Sequence, residues 1–187
     1  MSNAERHMQS LGALLPAVVQ GTAVRLLQGN DIGCFHSYRS DAGLAIYQGW
    51  SPMSMRATEE FMEAMASVSD LRRGAWIQLA IADVATNALL GDVGLYLEPD
   101  ESTVEIGFTL HREAQGAGHA RRAVQASLSL VFAASAANVV RAVTDVRNAE
   151  SIRVLERAGF AQSHARQAVF KGEPCTEFVY VRNRADA

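Results

Sequence analysis

Between residues 103 and 134 the chain reads as strand, glycine loop, helix, and no other stretch constrains the fold as much. Thr103-Val104-Glu105-Ile106-Gly107-Phe108-Thr109-Leu110 is strand-like. Ala120, Ala123, Val124, Ser127, Leu128 and Val131 recur at helical spacing, with Arg121, Arg122, Gln125 and Ser129 on the opposite face. The loop between them is Gln115-Gly116-Ala117-Gly118-His119-Ala120. Two glycines around one alanine leave backbone N–H groups unshielded by side chains. Where such a loop feeds a helix, those N–H groups and the helix dipole converge on an anion, and phosphate is the expected one. A loop that only starts a helix has no need of a basic first turn, yet Arg121 and Arg122 stand there.

Two phosphate motifs are weighed by residue. A P-loop carries a lysine after its glycines, whereas His119 and Ala120 come next here. A dinucleotide fingerprint accommodates Gly116 and Gly118, but puts Arg121 where a small residue lets helix and strand pack closely.

The rest of the chain supplies a sheet around this unit. A first strand is expected over 22–27, then a helix capped by Asn30-Asp31 and running to about Tyr38. A short helical piece over 41–49 comes next, then a helix capped by Ser54 or Thr58 that reaches about residue 68. Strands at 75–82 and 90–97 form a hairpin through Thr86-Asn87, and Pro99-Asp100 turns into the 103–110 strand. After the 120–134 helix come a strand at 139–146 and a helix over 149–158 capped by Asn148. Gly159 supplies its left-handed C-terminal residue, with Phe160 packing back. Two last strands, 162–170 and 176–181, join across Gly172-Glu173-Pro174. A meander leading into strand–helix–strand is a mixed α/β sheet, mostly antiparallel, with flanking helices.

With 187 residues, 49% of them apolar, the chain suits one domain with a real core, expected over 22–184, with 1–21 as an arm lying on it. A net charge of −3 gives no reason to expect a nucleic-acid surface. No apolar run is long enough to span a membrane. The 11–19 run after Arg6 faintly resembles a signal peptide, but Glu5 sits in its basic region, Pro16 interrupts it, and 24–27 is needed as a strand. Ser2-Asn3-Ala4 is compatible with an expression remnant. Cys34 and Cys175 lie far apart and are expected as reduced thiols in the cytoplasm. His7, His36, His111, His119 and His164 show no metal-ligand spacing, so no metal is implied. Exposed strand edges leave room for a homodimer, and nothing specifies one.

The loop Gln115-x-x-Gly118-x-Ala120 is similar to the Q/R-x-x-G-x-G/A loop of GNAT-fold acetyltransferases, which wraps the pyrophosphate of acetyl-CoA. Asn148-Ala149-Glu150-Ser151-Ile152-Arg153-Val154-Leu155-Glu156-Arg157-Ala158-Gly159-Phe160 resembles the N-x-x-S-x-x-V-L-E-K-x-G-F segment of the RimJ/RimL branch, which acetylates ribosomal-protein N-termini. Trp50, Thr58-Glu59-Glu60-Phe61 and Glu105-Ile106-Gly107-Phe108 also look like that branch, and the resemblance covers about 22–182. It implies an N-acetyltransferase that uses acetyl-CoA as co-substrate. The acceptor would be a primary amine, either a protein N-terminus or a small molecule such as an antibiotic or amino-acid derivative. A non-catalytic module that senses acyl-CoA is the alternative. Acceptor choice is expected in 41–68 and 171–177.

Residue roles follow from the chemistry of acetyl transfer together with the resemblance. Gln115, Gly116, Ala117, Gly118, His119 and Ala120 would hold the pyrophosphate. Phe108, Thr109 and Leu110 would pair with the pantetheine arm through backbone groups, one N–H serving the oxyanion. Asn148 would hydrogen-bond the same arm or merely cap its helix. Ser151 would protonate the leaving thiolate or be a solvated helix residue, with Tyr180 and Tyr96 as rival donors. Glu105 is the candidate base, against a cross-strand ion pair as its other reading. His119 would touch phosphate or face solvent, and Arg153 and Arg157 would meet the 3′-phosphate or lie on the surface.

Overall fold

The computed structural model describes residues 8–68 and 70–186. Among the N-terminal features, Ser2-Asn3-Ala4, Glu5, Arg6 and His7 lie outside the described residues. Eight strands form one sheet: β1 (Ala17–Val19), β2 (Thr22–Arg25), β3 (Trp76–Asp83), β4 (Leu89–Leu97), β5 (Thr103–Leu110), β6 (Val139–Asp145), β7 (Ala161–Phe170) and β8 (Glu173–Asn183). Their spatial order is β1-β2-β3-β4-β5-β6-β8-β7. Every neighbouring pair is antiparallel except β5 and β6, which are parallel. Parallel neighbours need a crossover, and α5 (His119–Ala134) supplies it.

The period-two alternation of the strands sorts side chains into two cores. Ile77, Leu79, Ile81, Val93, Leu95, Val104 and Ile106 pack with Ala123, Val124 and Val131 of α5 and with Leu155 of α6 (Ala149–Arg157). Ala80 and Leu89 point the other way, to Phe35 and Tyr38 of α2 (Ile32–Arg39) and Met62 of α4 (Met55–Ala66). The short α3 (Ala42–Ala45) and the 46–54 turn connect α2 to α4, and α1 is a single turn at Leu11–Leu14. Among the described residues no helix is long and apolar enough to cross a membrane.

Several local expectations change. The arm expected over 1–21 contributes β1, which pairs with β2 and extends the sheet; its three residues are too few for a periodic signal. Asp31 does not cap α2 through its side chain. It accepts instead from Arg25 Nη1 at 2.7 Å and Nη2 at 2.9 Å, and from the Gln28 N–H at 2.8 Å. Ser54, not Thr58, caps α4, accepting from the Ala57 N–H. The final turn sits one step earlier than expected, at Lys171 and Gly172, and β8 already begins at Glu173.

Candidate active site

The central geometric feature is a fork. The parallel register runs Thr103↔Val139, Val104↔Val140, Glu105↔Arg141 and stops there. Beyond it β5 continues to Leu110 and β6 to Asp145 without bonding to each other. Across β5 the pairing with β4 is unbroken to Leu110. The carbonyls of Phe108 and Leu110 turn away from β4, since side-chain amides reach them: Gln48 Nε2 at 3.4 Å and Gln115 Nε2 at 3.1 Å. One prong of the fork thus presents strand-like backbone acceptors and donors that no strand occupies. Val104, Ile106, Phe108 and Leu110 share the α5 face, while Glu105, Gly107 and Thr109 face α2.

Because β5 and β6 are parallel, the segments that leave their C-terminal ends gather at the open end of the fork. After β5 come the 112–114 turn and the loop 115–118, with Gly118 as the N-terminal cap residue of α5. Gly116 and Gly118 both have φ of 81°, the left-handed region that a side chain disfavours, and a Cβ at Gly116 would meet nothing within 4 Å. Their backbone is bare. Gln115, Gly116, Ala117 and Gly118 are exposed, and Ala120 is buried.

Arg122, like Arg121 in the same turn, is half-buried. It folds back, donating from Nη2 to the Ala117 carbonyl at 2.8 Å and from Nε to Thr22 Oγ1 at 2.9 Å. His119 Nδ1 lies 2.9 Å from Thr22 Oγ1 and 3.3 Å from Arg122 Nη2. Arginine is only a donor, so Nδ1 accepts, the imidazole is neutral, and its proton sits on Nε2. Burial lowers the His119 pKa, Arg122 lowers it further, and Asp83 opposes them. The tie therefore stabilises the fold fully above the ordinary histidine pKa of about 6.5 and is lost as pH falls through the lower folded-state value. The melting temperature is expected to fall on acidification below about pH 6.5, with a shallower fall in His119→Gln; parallel melting curves across pH 5–8 for both proteins check this.

After β6 come Arg147 and the start of α6. Asn148 caps α6, its Oδ1 accepting from the Ser151 N–H at 3.2 Å. The cap uses the oxygen and leaves the amide nitrogen as a donor. Ser151 is half-buried, and its hydroxyl has no hydrogen-bond partner among the described residues. Tyr180 is buried and donates to Glu156 Oε1 at 3.2 Å. Its pKa is raised by burial and by Glu156. Tyr96 packs against Trp76, ring centroids 5.5 Å apart. Arg153 and Arg157 are exposed on α6.

Glu105 stands at the crotch of the fork. Its Oε2 accepts from Arg141 Nε at 3.1 Å and Nη2 at 2.7 Å, and Nη2 also reaches Glu98 Oε1 at 2.6 Å. Burial works against the Arg141 charge, but its bonds to Glu105 and Glu98 outweigh that and raise its pKa. The geometry is the cross-strand ion pair, with both Arg141 donors on one oxygen of the carboxylate.

Residues outside the expected catalytic and cofactor-binding set stand beside the site. Asp145, at the tip of β6, accepts from Arg147 Nε at 2.8 Å and Nη2 at 2.6 Å, which holds its carboxyl below the usual range. The Arg147 guanidinium lies 5.9 Å from the Tyr47 ring centroid. Lys171 Nζ donates to the carbonyls of Ala45 at 2.7 Å and Trp50 at 2.9 Å. The two regions expected to choose the acceptor are thus in contact. A cavity of about 330 Å³ also opens beside α2, lined by Ser37, Asp41, Leu44, His111, Arg112 and Glu113 among others, and it includes none of the predicted site residues.

A forked parallel pair inside an antiparallel sheet, with a bare glycine loop at the start of the crossover helix, is the arrangement of an acyl-CoA-dependent acyltransferase. The chain belongs to the acetyltransferase (GNAT) domain family, whose model matches residues 23–161. No curated protein sequence matches it. Among solved structures it is similar to a GNAT-family acetyltransferase from Bacillus anthracis, at 20% identity and a TM-score of 0.79 over 89% of this chain and 97% of that one. It is similar to spermidine N-acetyltransferase from Vibrio cholerae in complex with CoA and spermine, at 18% identity and TM-score 0.76, covering 90% and 98%. It is also similar to RimL, a ribosomal alpha-N-protein acetyltransferase in complex with coenzyme A, at 17% identity and TM-score 0.76, covering 92% and 99%. At these identities the likeness is one of fold.

Proposed function

We propose that the chain transfers the acetyl group of acetyl-CoA to a primary amine by direct attack within the fork. The observation that carries this is the unbonded stretch of β5 beyond Glu105, with the Phe108 and Leu110 carbonyls turned into the gap and the loop 115–118 at its open end. A pantetheine arm has amides spaced to complete such an edge, as an added strand would. The pyrophosphate takes the N–H groups of Gly116, Ala117, Gly118 and His119 at the start of α5. Asn148 donates to the arm from its amide nitrogen while its oxygen caps α6. The coenzyme A complexes of the RimL and spermidine acetyltransferase structures support this reading.

The amine approaches from the α2 face. Its nitrogen lone pair attacks the thioester carbonyl, an N–H of Phe108 or Leu110 receives the oxyanion, and the carbon–sulfur bond breaks. The proton lost by the amine passes to solvent, and the thiolate gains one from Ser151, whose hydroxyl is replenished through water. Glu105 clamps the crotch with Arg141 rather than serving as the principal base. The RimJ/RimL-like 148–160 segment favours a protein N-terminus as acceptor.

Two variants separate chemistry from scaffolding. Ser151→Ala is expected to lower kcat about ten- to a hundredfold, with acetyl-CoA KM unchanged. Asn148→Ala removes a cap worth about 1 kcal/mol, lowering the melting temperature by about 2–4 °C and raising the acetyl-CoA KM. Thermal melts with steady-state kinetics on both decide it. A Ser151→Ala protein that melts lower yet turns over normally would make that serine structural.

A further inference from the structure

We propose that Lys171 is a latch that ties the β7–β8 hairpin to the 41–50 segment across the mouth of the fork and thereby positions the acceptor amine. This rests on the reading of the fork as the acetyl-CoA site, with the amine arriving on the α2 face. Lys171 does not touch the reacting atoms; it is a positioning residue.

The 45–50 stretch bridges the two prongs. Gln48 reaches the Phe108 carbonyl on β5, and Tyr47 lies under the Arg147 guanidinium beyond the end of β6. Upstream, Asp41 is held by Arg112, Nε to Oδ2 at 2.7 Å and Nη2 to Oδ1 at 3.0 Å. Lys171 Nζ bonds the carbonyls at both ends of the bridge, Ala45 and Trp50. One ammonium therefore fixes the height of the bridge above the thioester position.

Three further observations single this lysine out. It is the only lysine in the chain. It stands in a two-residue hairpin turn with φ of 52°, beside Gly172 at 85°. That conformation costs a non-glycine residue about 1 kcal/mol or more, and asparagine is the usual choice there. What lysine adds is reach, a flexible four-carbon stem with three donors. β8 is paired to β6 only as far as Asp145↔Glu177, so toward the turn the hairpin leans on the Val146 N–H to Thr176 carbonyl bond and on Lys171. The charges around the fork are also matched: Asp41 with Arg112, Glu105 with Arg141, Asp145 with Arg147. Among the described residues Lys171 meets no carboxylate: its Nζ has the two carbonyls and the Phe170 ring, 5.6 Å to the centroid, so its placement answers to the backbone of the bridge.

The test uses the full chain, as wild type, Lys171→Met and Lys171→Arg. Thiol release from acetyl-CoA is followed with spermidine and with a serine-initiated octapeptide as amine probes, and amide hydrogen exchange is measured across 41–50 without any amine. In Lys171→Met the amine KM is expected to rise about tenfold, with kcat and the acetyl-CoA KM within about twofold of wild type. Exchange over 43–50 is expected to quicken about tenfold. Lys171→Arg, which keeps the donors and the charge, should restore most of both. Unchanged amine KM and exchange in Lys171→Met would overturn the latch. So would a parallel rise of the acetyl-CoA KM, which would make the lysine general support for the fold. If wild type binds no coenzyme A, the reading of the fork fails on its own, and if it turns over neither probe the exchange data alone decide the latch.

Discussion

Gly118→Asp is expected to lower coenzyme A affinity at least about tenfold, roughly 1.4 kcal/mol or more, while the chain stays folded. Gly118 is the N-terminal cap residue of α5, at φ 81° and ψ 7°. Two effects on stability oppose each other there. Left-handed backbone costs a side chain about 1–2 kcal/mol, though aspartate tolerates it better than most. Part of this is offset by the helix dipole, which favours a negative charge at a helix start by about 0.3–1 kcal/mol. The space also permits it, since a Cβ would meet Arg122 Nη1 at an ordinary 3.5 Å. The fold therefore loses about 1 kcal/mol, too little to unfold the chain, while a carboxylate now stands where the pyrophosphate must approach bare N–H groups. Calorimetric titration of coenzyme A beside a thermal melt separates the two effects. Unchanged affinity in a folded variant would show that the phosphates lie elsewhere.

Asp92→Ala is expected to be the most destabilising single change near the site. Asp92 lies on β4, 2% exposed, and accepts from Tyr38 Oη at 2.9 Å and Arg39 Nη2 at 2.5 Å. Arg39 is 4% exposed, and its guanidinium stacks 4.6 Å from the Trp50 ring and 5.0 Å from Phe35. Burial pushes the Tyr38 pKa well up, and Asp92 adds to it. Removing the carboxylate leaves a buried cation without its partner, which costs about 3–5 kcal/mol. For a chain of this size that is roughly 10 °C in melting temperature. Replacing both partners by apolar groups, Asp92→Leu with Arg39→Met, should recover much of the loss, because a buried pair is only weakly stabilising overall. A double-mutant cycle by thermal or urea unfolding checks it. Additive losses would mean that the pair is not coupled. The network also sets α2 against β4, and so places the 41–50 bridge.

Local chemistry is the part of this molecule that was legible in its sequence. The 103–134 unit, the Asn148 cap and the left-handed Gly159 at φ 87° all stand where spacing and capping put them. The exposed loop glycines were legible because only glycine tolerates their backbone cheaply. Contacts between residues far apart in the chain were not. Nothing near Arg122 says that Thr22, a hundred positions away, will turn it inward. The succession of strands along the chain was legible apart from β1, but the point where β5 and β6 part was not, because register is set by packing on both faces. Consequently Glu105 stood between a base and a cross-strand ion pair, and Arg141 was not legible as the partner that claims it. Lys171 stood at the start of a segment expected to choose the acceptor, but its role there was not legible until its carbonyl partners were placed.

The most direct test of the proposed chemistry is one measurement: coenzyme A thiol released from acetyl-CoA with each member of a panel of primary amines, and the acetylated amine counted by mass spectrometry in the same reaction. The expected result is thiol release that depends on added amine, with one acetylated amine for each thiol freed. Coenzyme A binding without amine-dependent release from any peptide N-terminus, polyamine or aminoglycoside would contradict it, and would make the fork an acyl-CoA sensor rather than a catalyst.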